Sequence, residues 1–70
     1  MRIKVKQSLS VTKLAEFLQF ASNYNWLVEG TVVQSPNGNY DVELVIPVDH
    51  TTVGKRSLAL SNLKLDFEVI

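Results

Sequence analysis

The spacing of apolar residues changes twice along this chain, and those changes restrict it to a mixed α and β architecture. Ile3 and Val5 fall on one side of an extended segment and Arg2, Lys4 and Lys6 on the other, so Arg2 to Lys6 reads as a strand with one buried face. From Val11 the interval lengthens to three and four residues. Val11, Leu14, Phe17, Leu18, Ala21 and Tyr24 then share a broad stripe on a helix running from about Val11 to Asn23. Ser8 and Ser10 both suit its start, because a short hydroxyl side chain accepts a hydrogen bond from the free N–H groups of the first turn. Asn23 and Asn25 suit its exit. Trp26 is expected to close the following turn, largely buried against Leu14, Phe17, Leu18 and Ala21.

Two-residue alternation then returns. Trp26 to Gln34 and Tyr40 to Pro47 are rich in β-branched and aromatic residues, and Ser35-Pro36-Asn37-Gly38-Asn39 between them is the clearest turn in the chain, which predicts a β-hairpin. In its second arm Tyr40, Val42, Leu44 and Ile46 point one way, and Asp41, Glu43 and Val45 the other. Gly30 in the first arm marks a bulge or a close backbone approach. Pro47 to Gly54 is read as a loop. Lys55 to Leu63 admits two readings: a helix capped by Ser57 with Leu58, Ala59 and Leu63 facing the core, or a hairpin turning at Ser61-Asn62. The helix is preferred. Leu63, Leu65, Phe67 and Val69 alternate with Lys64, Asp66 and Glu68 through a last strand. No repeat or second domain shows. The expected fold is a single small α+β domain over residues 1–70, a four- or five-stranded antiparallel sheet with one or two helices packed on one face.

Seven basic and seven acidic residues give zero net charge, which argues against a general nucleic-acid or anionic-membrane binder. The charges are nevertheless segregated. Residues 1–13 carry Arg2, Lys4, Lys6 and Lys13 and no acid, whereas residues 14–54 carry Glu16, Glu29, Asp41, Glu43 and Asp49 and no base. Opposite charges across a strand pair stabilise it by about 0.2–1 kcal/mol, so the basic first strand and the acidic last one are natural neighbours. With no cysteine, disulfide scaffolds, thiol nucleophiles and Cys-ligated metals are excluded. The basic, alternating start is unlike a signal peptide or a membrane span, and a soluble cytoplasmic protein is expected.

The segment Leu9-Ser10-Val11-Thr12-Lys13-Leu14-Ala15-Glu16-Phe17-Leu18-Gln19-Phe20-Ala21-Ser22-Asn23-Tyr24-Asn25 resembles the first loop and helix of the bacterial phosphocarrier protein HPr, and Lys55 to Leu63 is similar to that family's second helix, which opens on a regulatory serine. The resemblance implies an antiparallel sheet with adjacent first and last strands, and it makes Ser57 the regulatory position. Ser10 stands where the family has its phosphorylated histidine, Thr12 where it has arginine and Lys13 where it has proline. Phosphohistidine transfer is therefore not expected. The nearest comparison is the histidine-lacking catabolite-repression homologue of HPr.

Other chemistry is sparse. His50 stands between Asp49 and Thr51-Thr52, a set that suits a general base only if the side chains converge. Glu29, Asp41 and Glu43 would hold a hard cation only by converging across the hairpin, and a single histidine leaves no zinc site. Thr51-Thr52-Val53-Gly54-Lys55-Arg56-Ser57 resembles the end of a phosphate-binding loop, but Asp49 occupies the place of its first glycine and Arg56 that of its hydroxyl residue. What remains is an anion or regulatory site at Lys55, Arg56 and Ser57, and a partner contact at Phe20 on the edge of the helix stripe. These features predict a non-catalytic regulatory or assembly module that binds another protein, with no cofactor or metal. The alternative is a weak nucleic-acid or anion binder using the basic first strand and Lys55-Arg56. A homodimer is expected because so small an apolar chain leaves surface and sheet edges uncovered. Two interfaces suit it: an apolar one around Phe20, or a head-to-tail one if the basic strand and the acidic strand Tyr40–Pro47 lie at opposite sheet edges.

Overall fold

The computed structural model describes Met1 to Ile70 in the order β1 (Arg2–Leu9), α1 (Val11–Asn23), β2 (Glu29–Gln34), β3 (Tyr40–Pro47), α2 (Val53–Asn62) and β4 (Glu68–Val69). The four strands form one antiparallel sheet in the order β2-β3-β1-β4. Each helix thus joins two strands that have a third between them, the split βαβ arrangement of ferredoxin-like folds. No helix is long and apolar enough to cross a membrane.

β1 pairs with β3 along its whole length, from Arg2 opposite Pro47 to Leu9 opposite Tyr40, and with β4 through Ile3 and Lys4, beside which Arg2 and Ile70 exchange two backbone hydrogen bonds. The expected neighbours are adjacent, with Lys4 opposite Glu68. Lys6 lies opposite Glu43 on the other flank, and the Lys4 ammonium meets the Glu43 carboxylate at 3.3 Å. The basic strand is therefore central, between two acidic ones. This removes the head-to-tail interface, which needed opposite charges at opposite edges.

The buried residues are Ile3, Val5 and Leu9 of β1, Val42, Leu44 and Ile46 of β3, Leu14, Phe17 and Ala21 of α1, Leu60 of α2, and Leu65. β2 contributes none, and all six of its residues are exposed. The helices cover the middle of the sheet and leave that edge bare. The α1 stripe is also narrower than its period suggests, because Val11, Leu18 and Tyr24 lie on its flanks in solvent. Ser10 caps α1 as expected, its hydroxyl accepting from the Lys13 N–H at 3.2 Å.

At Lys55 to Leu63 the structure has the helix, not the hairpin, but with an earlier start than Ser57 would give it. The Asp49 carboxylate accepts the N–H groups of Thr51 and Thr52, and the Asp49 carbonyl accepts that of Val53. The chain is thus wound into a first turn ahead of the regular helix. Ser57 consequently lies inside α2, half-buried, and the phase moves with it: Leu60 faces the core, Ala59 and Leu63 are half-buried, and Leu58 is exposed. The last strand is shorter than its alternation implies. Lys64 takes a left-handed φ of 60°, and Leu65 then turns into the core instead of joining the ladder.

Both helices end in the same device. Asn25 N–H donates to Ser22 O and Trp26 N–H to Ala21 O around a left-handed Asn25; Lys64 N–H donates to Ser61 O and Leu65 N–H to Leu60 O around a left-handed Lys64. These are Schellman closures, in which the crossed bonds satisfy the last helical carbonyls. Ser22-Asn23 in one half thus corresponds to Ser61-Asn62 in the other, at the same spacing that relates the cap Ser10 to the cap Asp49. The duplication is one of geometry, carried by few identical residues.

Two glycines are required where they stand. Gly38, at φ 89°, closes the hairpin as its N–H donates to Ser35 O, the three-residue loop that needs a left-handed residue in that place. Gly30, at φ 129°, lies so close to β3 that a Cβ there would stand 2.1 Å from the Glu43 carbonyl oxygen. The pairing of β2 with β3 runs without a bulge, so of the two readings of Gly30 the close approach holds.

Candidate functional site

Phe20 and Tyr24 are four residues apart on α1, so their rings stack along one flank of the helix, 4.7 Å between centroids. The Schellman turn at Asn25 then folds the chain back and sets Trp26 edge-on to Phe20, at 5.3 Å and 80°. From the other side α2 contributes Thr52, Lys55, Arg56 and Ala59. The result is a cleft of about 360 Å³ between the helices, with three aromatic rings on one wall and two cations on the other. The Arg56 guanidinium lies over the Trp26 ring, 5.0 Å from its centroid. Such a contact is worth about 0.5–1 kcal/mol at an exposed site.

This cleft joins two features that were separate in the sequence, the cations Lys55 and Arg56 and the aromatic Phe20. Neither cation has a carboxylate partner, since the one ion pair in the molecule is Lys4 with Glu43. Ser57 does not line the cleft. Trp26 is half-buried, packed against the edge of the core on one side and forming the cleft wall with Phe20 and Arg56 on the other. Tyr24 is the site residue that the apolar pattern misassigned to the core, and Trp26 is less buried than that pattern implies. The signal for Tyr24 was present, because Phe20 and Tyr24 form their own line at four-residue spacing, one position away from the buried line of Phe17 and Ala21.

A wider concavity of about 540 Å³ lies on the outer sheet face between Lys6, Ser8, Thr31, Asp41 and Glu43. Its lining is mostly polar and of mixed charge. Ligand sites are usually apolar hollows with a few convergent polar groups, a description that fits the inter-helix cleft and not the sheet face. Asp41 and Glu43 line it without Glu29, and no three acidic or histidine side chains come within reach of one metal ion.

The start of α2 is partly occupied by its own carboxylate, while the N–H groups of Gly54 and Lys55 keep no backbone partner. The N–H groups of Thr51 and Thr52 that would greet a phosphate already bind the Asp49 carboxylate, at 2.9 and 3.0 Å. The hydroxyls of Thr51 and Thr52 donate to it as well, at 2.7 and 3.1 Å. Asp49 is thereby committed to capping, and nothing ties it to the exposed His50 as a base pair would require. The Thr51 hydroxyl, then the Thr51 N–H and the Thr52 groups, hold the Asp49 pKa down from 3.8 to about 2. A carboxylate whose folded pKa lies below its unfolded one stabilises the fold above the unfolded value and stops doing so as pH falls through the folded one. Asp49→Ala should therefore lower the melting temperature at neutral pH, and its gap from the wild type should narrow as pH falls from about 4 to about 2. Circular dichroism melts across that range test this, and a gap that stayed constant would contradict it.

Ser10 and Ser57 are the positions that the HPr resemblance singles out. Ser10 is the cap of α1 and Ser57 lies within the second turn of α2. No model of a known protein family, no curated protein and no solved structure matches the chain.

Proposed function

We propose that the chain is a non-catalytic binding module that docks a segment of another protein in the cleft between α1 and α2, the segment carrying a carboxylate beside an aromatic or aliphatic side chain. The observation that supports this reading is the pair Lys55 and Arg56, unneutralised and set against Phe20, Tyr24 and Trp26. An apolar side chain of the partner gains burial against the rings, and its carboxylate meets cations whose attraction is strengthened by the low-dielectric wall. The hydroxyl of Thr52 is held by Asp49. The HPr likeness does not enter this reading, because Ser10, at the place of the phosphorylated histidine, caps α1.

The alternative, a nucleic-acid or anion binder, gains from the same rings, since bases stack on aromatics beside cations. It loses its second basic element. Lys4 and Lys6 lie on the outer sheet face, opposite the helices, next to Glu43 and Glu68.

Trp26 is the only tryptophan and lines the cleft, so its emission reports occupancy directly. Three probes separate the readings: an acidic peptide containing phenylalanine, the same peptide with alanine in its place, and a single-stranded oligonucleotide. The first should quench or shift the emission, the second should do so weakly, and Lys55→Glu with Arg56→Glu should abolish the response. A response to the oligonucleotide alone favours the alternative. No response to any probe, or an equal one in the double variant, rejects the cleft as the site.

A further inference from the structure

We propose that two copies of the chain pair through β2, edge to edge and antiparallel, in a single eight-stranded sheet. Sheet edges in soluble proteins are normally blunted by shortness, lysine, proline or a bulge. One edge here is blunted: β4 has two residues, and the flank of β1 beyond it carries Lys6 and is bridged where Gln7 Oε1 accepts the Asp66 N–H. The other edge has none of these devices. Glu29-Gly30-Thr31-Val32-Val33-Gln34 contains no lysine or proline, pairs with β3 without a bulge, and is exposed along its full length.

The backbone of β2 is also self-complementary. Just beyond the β2–β3 ladder Ser35 N–H donates to Asn39 O at 2.8 Å, and bonded and unbonded pairs alternate along an antiparallel ladder. Glu29, Thr31 and Val33 thus turn their N–H and C=O groups toward β3, while Gly30, Val32 and Gln34 turn theirs outward. A two-fold axis through Val32 sets that residue opposite its own copy and Gly30 opposite Gln34 on both sides. All three outward residues are then bonded, with about six hydrogen bonds in all. A slip of two residues in either direction leaves only two bonded pairs. In the best register Glu29, the one charge on the strand, faces Ser35, and the two Glu29 side chains are about 20 Å apart, beyond the screening length of about 8–10 Å. Thr31 meets Val33 on the outer face, and the two Val32 side chains cover each other on the inner one. β4 offers two residues in place of six, so pairing of β2 with its own copy satisfies the most backbone, and an isologous contact closes at two subunits.

Sedimentation equilibrium over a wide concentration range tests the proposal, with hydrogen exchange on the same samples. Twice the monomer mass is expected in low and high salt alike, with the amides of Gly30, Val32 and Gln34 slowing as concentration rises. Val32→Pro removes an outward N–H and spares the β3 ladder. Losing two of the six bonds should weaken the dimer about thirtyfold. Val32→Lys puts two cations face to face and should act in the same direction, which keeps the test open if the proline variant fails to fold. A monomer at every concentration overturns the proposal. So does a dimer that survives Val32→Lys while Phe20→Ala dissolves it, because the interface is then the helix face. The cleft can fail its own test with this result unchanged, since the two surfaces share no residue.

Discussion

Phe17→Ala should lose about half of the stability of the fold, whereas Trp26→Ala should lose much less. Phe17 is 1% exposed and packs in one cluster with Ile3, Val5, Leu44, Ile46 and Leu60, so its truncation opens a cavity at the centre of the only core. Such a change costs about 3–5 kcal/mol. At roughly 0.05–0.15 kcal/mol per residue, a domain this small has about 4–10 kcal/mol in total. Trp26 is half-buried at the edge of that cluster, and its loss removes a cleft wall at a cost nearer 1.5–3 kcal/mol. Urea denaturation followed by far-ultraviolet circular dichroism distinguishes the two. A Phe17→Ala as stable as the wild type, or a Trp26→Ala less stable than Phe17→Ala, would contradict this placement of the core.

Alanine at the three glycines should give effects of two signs and three sizes. Gly30→Ala is expected to be the most damaging, because the new Cβ would stand 2.1 Å from Glu43 O and 3.0 Å from Leu44 Cα, and both belong to backbone held in the sheet. Its φ of 129° adds strain of about 1–3 kcal/mol whatever the space. The start of β2 should separate from β3, and the amides of Thr31 and Glu43 should exchange faster. Gly38→Ala meets no atom within 4 Å and suffers only from its φ of 89°, about 1–2 kcal/mol. Gly54→Ala, in the first turn of α2 with nothing within 4 Å, should stabilise by about 0.5–1 kcal/mol. Chemical denaturation of the three variants gives the order. Equal effects at Gly30 and Gly38 would mean that β2 does not approach β3 as described.

The elements that were legible in the sequence are those whose signals are local. Val11 to Asn23 has its bounds in the apolar period and the cap at Ser10, and Tyr40 to Pro47 has its bounds in the alternation and the turn before it. The start of α2 was misread because two hydroxyl residues and one acid compete for the role of cap. Ser57 fits the period, but Asp49 gathers four hydrogen bonds from Thr51 and Thr52, and only the folded loop displays them. The end of the chain was misread for a similar reason. Leu65 and Phe67 alternate like strand residues, but the left-handed turn at Lys64 sends Leu65 into the core.

The sequence by itself determined β1, α1 and the hairpin of β2 and β3, the buried face of β1 and β3, and the adjacency of β1 and β4, since period and charge act between near or directly paired residues. Only the tertiary structure decided that the basic strand is central, that β2 is left uncovered, and that Phe20, Tyr24 and Trp26 face Lys55 and Arg56 across a cleft. Those outcomes depend on where two helices of limited width come to rest on a sheet of four strands. The eleven buried residues occupy the faces that the helices reach, and every apolar side chain beyond that reach becomes surface or site.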